Sequence, residues 1–147
     1  MKKYKLPTVF WLLVVIFIVI ASYFIIPFSE SINRALFPII AILGLIFLLL
    51  GITLIFLTIK RKIKGKLKIF LLLTGIAAIC PLIFSILHNL FYALGIIGKN
   101  IIIIKYLMEF LHVTSFIIAL VVSPIGFLVG AIGSIVLFIK NKKNRGD

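Results

Sequence analysis

His88, Asn89, Tyr92, Glu109 and His112 are the side chains whose types and spacing could support chemistry in an otherwise apolar chain. Glu109 precedes His112 by three residues, which puts both on one helical face. Ser85, Asn89 and Tyr92 surround His88 at helical intervals. An ionisable group inside a membrane is costly, so each such residue is a functional candidate by default.

Three kinds of chemistry fit this cluster. A neutral imidazole both donates and accepts, so His88 and His112, with Asn89 and Glu109, can join helices by hydrogen bonds. Alternatively His88, Glu109 and His112 hold a metal. The spacing Glu109-x-x-His112 is that of the motif in bundle di-iron sites, but those use two such motifs and this chain has one. That leaves a mononuclear site or bis-histidine haem ligation. The third option is a polar entry for a proton-coupled or substrate pathway lined by His88, Tyr92 and Glu109. The first option needs no cofactor and is the simplest. Lys105 lies four residues before Glu109, and that order of an ion pair is the less favourable one on a helix.

Catalytic constellations are otherwise missing from the sequence. The only aspartate is Asp147, so no Ser/His/Asp arrangement exists. No glycine-rich loop opens a helix with a Lys-Ser/Thr pair. The single cysteine, Cys80, cannot form an internal disulfide or a thiol pair, and its expected role is packing. These residues argue for a protein that is not an enzyme and carries no cofactor.

The elements that position the cluster follow from composition. Of 147 residues, 64% are hydrophobic and 13% charged, with a mean hydropathy of +1.38. Soluble domains are about 45–50% apolar and about 25% charged. A chain this short has too high a surface-to-volume ratio to hide that much apolar surface from water. Four apolar stretches, over 7–26, 35–59, 67–97 and 107–139, are each long enough to cross about 30 Å of hydrocarbon as a helix. The basic start resembles a signal peptide, but the first apolar run is too long for one and is expected to stay as a membrane anchor. The fold class is therefore all-α: one domain, a bundle of four transmembrane helices, up-down-up-down through short connectors.

The net charge of +13 has an ordered distribution. Lys2, Lys3 and Lys5 stand at the start, Lys60, Arg61, Lys62, Lys64, Lys66 and Lys68 in one connector, and Lys140, Lys142, Lys143 and Arg145 at the end. Only Arg34, Lys99 and Lys105 fall in the other connectors. Cations stay on the cytoplasmic side, so both termini and the central turn are expected there. The cations cap apolar runs instead of lining a face with stacking aromatics, which argues against nucleic acid. The expected partner is a lipid bilayer, with anionic cytoplasmic headgroups facing the cations. Heavy use of Ile and Lys points to a prokaryotic plasma membrane. In the segment outside the first span, Glu30 four residues before Arg34 is a favourable helical ion pair.

A second stripe on the fourth span is made of small residues: Ser123, Gly126, Gly130 and Gly133. Small residues let helix backbones approach closely, which drives association in lipid. The stripe either packs inside the chain's own bundle or forms the seam of a homo-oligomer. Ala41, Gly44, Leu48 and Gly51 form a weaker small face on the second span, a candidate partner for the fourth. Pro81 and Pro124 fall inside spans three and four, where each removes a backbone donor and favours a kink.

The expected function is that of a multi-pass membrane protein acting through helix packing, in an accessory or assembly role. A small transporter or channel subunit with a polar pathway in the outer leaflet is the first alternative. A metal- or haem-binding protein using His88 and His112 is the second.

Overall fold

The computed structural model describes residues 5–143. Lys2, Lys3, Arg145 and Asp147 lie outside them. The described residues are helical, without strands: α1 Lys5–Ile25, α2 Glu30–Lys60, α3 Gly65–Ile97, α4 Ile102–Ile117 and α5 Ser123–Lys143. One π-turn, Ile118–Val122, joins α4 to α5, so the two act as a single interrupted span. The result is four apolar helical spans, each long enough to cross a membrane.

Two boundaries differ from the sequence reading. The second helix starts at Glu30, five residues earlier than its apolar run. Its first turns carry the Arg34–Glu30 pair, with Nη2 donating to Oε1 at 2.7 Å. The fourth span starts at Ile102, because Ile102–Tyr106 already coil before the long apolar stretch begins. The connector between α2 and α3 is closed by backbone bonds from Arg61 N to Leu57 O and from Lys62 N to Ile59 O. Lys62 takes φ 50° there, a helix-terminating conformation more often given to glycine.

α3 is the spine. It packs against α2, α4 and α5, while α1 lies along α2. The directions alternate. Gly51 of α2 faces Gly75 and Ala78 of α3, and Gly126, Gly130 and Gly133 of α5 descend along Ala77, Thr74 and Phe70 of α3. α1 reaches α5 through aromatic rings, with Phe10 edge-on to Phe138 at 5.4 Å and Phe17 stacked on Phe127 at 4.4 Å. Phe47 of α2 completes that layer, 5.2 Å from Phe127.

The fourth span's glycine stripe thus packs inside the chain's own bundle. A Cβ at Gly130 would sit 2.7 Å from the backbone nitrogen of Thr74, and one at Gly133 would sit 2.5 Å from the Phe70 ring. α3 fills the stripe at Gly130 and Gly133. On the small face of α2, Gly51 meets α3 and not the fourth span, whereas nothing lies within 4 Å of a Cβ built on Gly44.

Burial is lopsided. Among the described residues the buried apolar side chains are Leu6, Phe10, Leu13, Phe47, Leu54, Leu71, Ala77, Ala78, Ala119, Phe127 and Ala131. All but Ala119 join one cluster, set towards the end of the bundle that holds the Lys60–Lys68 connector. Between Val14 and Ile46, and again between Ile79 and Thr114, no described residue is buried. The basic end is a packed core, and the opposite end consists of helices with little behind them.

The lengths are unequal too. At 1.5 Å per residue, the 21 residues of α1 rise about 32 Å and the 33 residues of α3 about 50 Å. The 40-residue fourth span, Ile102–Asn141, rises about 60 Å. The α3–α4 hairpin therefore continues well past the level at which α1 ends.

Candidate functional site: the paired histidines of α3 and α4

His88 and His112 meet where α3 and α4 cross. Their rings stack at 3.9 Å between centroids, inclined by 22°. Each ring also reaches the other helix's backbone. His88 Nδ1 is 3.1 Å from the carbonyl oxygen of His112, and His112 Nδ1 is 3.1 Å from that of His88. A carbonyl oxygen can only accept, so both Nδ1 atoms carry the proton and donate. That assignment leaves the lone pair of each neutral ring on Nε2. Neither Nε2 has a partner among the described residues, and neither is sealed from solvent, since Ser134 Oγ is the one unpartnered buried side-chain donor or acceptor among them.

Two further rings extend the stack. Tyr92 lies against His112 at 5.3 Å, and Phe116 lies against His88 at 5.3 Å. The four rings run Tyr92, His112, His88, Phe116, alternating between helices. Each helix supplies a histidine and, four residues later, a six-membered aromatic ring. Antiparallel packing makes the two halves a local pseudo-two-fold. The signal was present in the sequence as His88-x-x-x-Tyr92 and His112-x-x-x-Phe116; Phe116 shares the face of Glu109 and His112 but was not among the candidate site residues.

The remaining candidates lie apart. Asn89 is exposed and turns back on its own helix, its Nδ2 donating to Ser85 O at 2.8 Å. Glu109 is exposed and pairs with neither Lys105 nor any other described residue. Cys80 is half-buried and free. Ser123, at the start of α5, is buried and donates its hydroxyl to Ile118 O across the π-turn at 2.7 Å. An open depression of about 390 Å³ lies elsewhere, between α1 and α2, lined by Tyr23, Glu30, Asn33, Arg34 and Phe37.

This geometry is well suited to joining helices and poorly suited to one shared ion. An imidazole lone pair lies in the ring plane, and an imidazole–metal bond is about 2 Å long. Two rings face to face at 3.9 Å and inclined by 22° have planes that converge only far beyond that distance. Sharing an ion would require turning at least one ring and breaking its carbonyl bond. Among the described residues no three His, Cys, Asp or Glu side chains gather as a metal-binding group.

No family model matches the chain, and neither the curated proteins nor the solved structures hold a match to it.

Proposed function

We propose that the chain is a multi-pass integral membrane protein that does no chemistry of its own and acts by helix packing, as an accessory or assembly subunit. Both termini and the Lys60–Lys68 connector lie in the cytoplasm, and the membrane is the plasma membrane. The observation that carries this reading is the lopsided core. Among the described residues eleven apolar side chains are buried, and none of them lies in 14–46 or 79–114. A bundle acting alone has little use for long apolar helices that pack on so little. A subunit that completes itself against another protein does.

The histidine pair supports the same reading. Both Nδ1 donors are spent on backbone carbonyls, and the rings are spent on each other. That is the behaviour of polar groups holding two helices together in lipid. Helix lengths add to it. With Lys68 at the cytoplasmic surface, His88 comes about 30 Å further along α3, at the far edge of the hydrocarbon. The rest of the hairpin then extends beyond the lipid tails. This explains why Glu109 and Asn89 can be exposed, and it leaves Ile97, Ile102 and Ile103 of an upright hairpin to be covered either by a partner or by tilting of the hairpin into the lipid. The pathway reading has one supporting observation, the two unpartnered and accessible Nε2 atoms beside Tyr92.

Photo-crosslinking in native membranes tests the accessory role. A photoreactive residue at Ile39 or Ile42, on the unpacked half of α2, is expected to give a discrete protein adduct. The same residue at Ile132, on the exposed side of the packed α5, should give lipid adducts alone. Lipid adducts alone at all three positions would overturn the reading.

A further inference from the structure

Two backbone defects face each other at the boundary between the packed and unpacked halves. In α3 the defect is Pro81, which has no N–H for the carbonyl four residues earlier. In the fourth span it is the π-turn Ile118–Val122, with Pro124 two residues after its end. α3 packs against this π-turn, and Gly126, just beyond it, meets Ala77, just before Pro81. Prolines and π-turns are the usual causes of helix bends, and π-turns recur at functional positions. The backbone N–H of Ser123 closes the π-turn on the carbonyl of Ile118, and the Ser123 hydroxyl donates a second bond to the same oxygen.

Beyond these defects the hairpin of 82–117 is tied within itself. The stacked histidines, their two carbonyl bonds and the flanking Tyr92 and Phe116 rings fasten α3 to α4. Its ties to the rest of the molecule are sparse: Ser115 is its one buried residue. Stiff within and weakly held without, it is a lever on a two-strand hinge.

Resting on the reading that the chain spans a membrane, we infer that this hairpin swings as a unit about Pro81 and the π-turn, and that bilayer thickness sets its angle. The driving force is mismatch. From Pro81 to Gly98 the hairpin is about 25 Å long, while only about 10 Å of a 30 Å hydrocarbon layer remains above Pro81 when Lys68 marks the cytoplasmic surface. Apolar length in excess of the bilayer is accommodated by tilting or kinking, at a fraction of a kcal/mol per Å. The packed half can tilt only as one body, carrying every helix with it, whereas the hairpin can bend alone at the two defects, so the hairpin takes up the difference. A thinner bilayer lays it down, and a thicker one raises it.

Distances between paired spin labels, read in nanodiscs of short-chain and long-chain lipid, test this on the full chain carrying Cys80→Ser. Labels at Ile39 and Ile103 report the hairpin against α2. Labels at Ile86 and Ile103 report the hairpin alone, and labels at Ile52 and Ile132 report the packed half. All these positions are exposed. Turning a 25 Å lever by about 15° moves its tip about 6 Å, so the first distance is expected to change by about that much between the two lipids. The other two should stay constant, and Pro81→Leu combined with Pro124→Leu should reduce the first change. A first distance that does not move with lipid overturns the hinge, as does an Ile86–Ile103 distance that moves as much. Failure to incorporate into nanodiscs at all would instead overturn the membrane reading on which the hinge rests.

Discussion

Gly130→Leu is expected to cost about 3 kcal/mol or more, the upper range for forcing a side chain into a filled seam. A Cβ there would lie 2.6 Å from Thr74 Oγ1, 2.7 Å from the Thr74 nitrogen and 3.0 Å from the Phe70 carbonyl. Two of those three atoms are backbone, and neither can rotate away. α5 must retreat from α3, and the layer of Phe17, Phe47 and Phe127 loosens with it, because Phe127 is one turn from Gly130. Gly44→Leu is the matched control, since nothing lies within 4 Å of a Cβ there. It should change stability by no more than about 0.5 kcal/mol, as surface substitutions do. Unfolding in bicelles, followed by steric trapping, measures both. Equal effects at the two glycines would mean that α3 and α5 do not pack as described.

The second large effect is expected at the histidines, and it has a distinctive pattern. His88→Ala removes one donor and the stack, yet His112 can still donate to the carbonyl of residue 88, because that acceptor is backbone. A single interhelical hydrogen bond in a membrane contributes about 0.6–2 kcal/mol, and an aromatic stack about 0.5–1.5 kcal/mol. Each single alanine variant should therefore cost about 1–3 kcal/mol. Since both singles lose the same stack, the double variant should cost less than their sum, by about the value of that stack. His88→Phe keeps a stacking ring and loses one donor, so it should fall between wild type and His88→Ala. A double-mutant cycle with strictly additive losses would contradict the stacked arrangement.

Much of the architecture was legible in the sequence because lipid permits so few solutions. Predominantly apolar spans of about 20 residues or more leave helix as the favoured backbone form, and all four spans are present as helices. Helix ends were less legible. Glu30–Arg34 reads as a polar loop, but an ion pair in the favourable order also suits the first turns of a helix, and α2 begins there. Hydropathy cannot tell those cases apart.

Partner choice was the least legible level. The glycines on the fourth span announced a close approach without naming the helix that approaches. Gly51 and Gly75 meet across α2 and α3, where the sequence pattern pointed from α2 to the fourth span. Of the polar cluster, His88, His112 and Tyr92 come together, whereas Asn89 and Glu109 face outward. Spacing fixes the face of a residue within its own helix but not the rotation of that helix against its neighbour. The π-turn was hidden for a related reason: Pro124 signalled a disturbance, and only the structure shows the helix widening two to six residues earlier.

Cysteine accessibility in intact cells tests the central claim, a four-span membrane bundle with its basic end in the cytoplasm. In a Cys80→Ser background, one cysteine replaces Lys64, in the connector between α2 and α3, and another, in a separate variant, replaces Lys99, between α3 and α4. A membrane-impermeant maleimide is expected to label the Lys99 position in intact cells and the Lys64 position only after permeabilisation. Labelling of both positions from outside, or of Lys64 alone, would contradict the account.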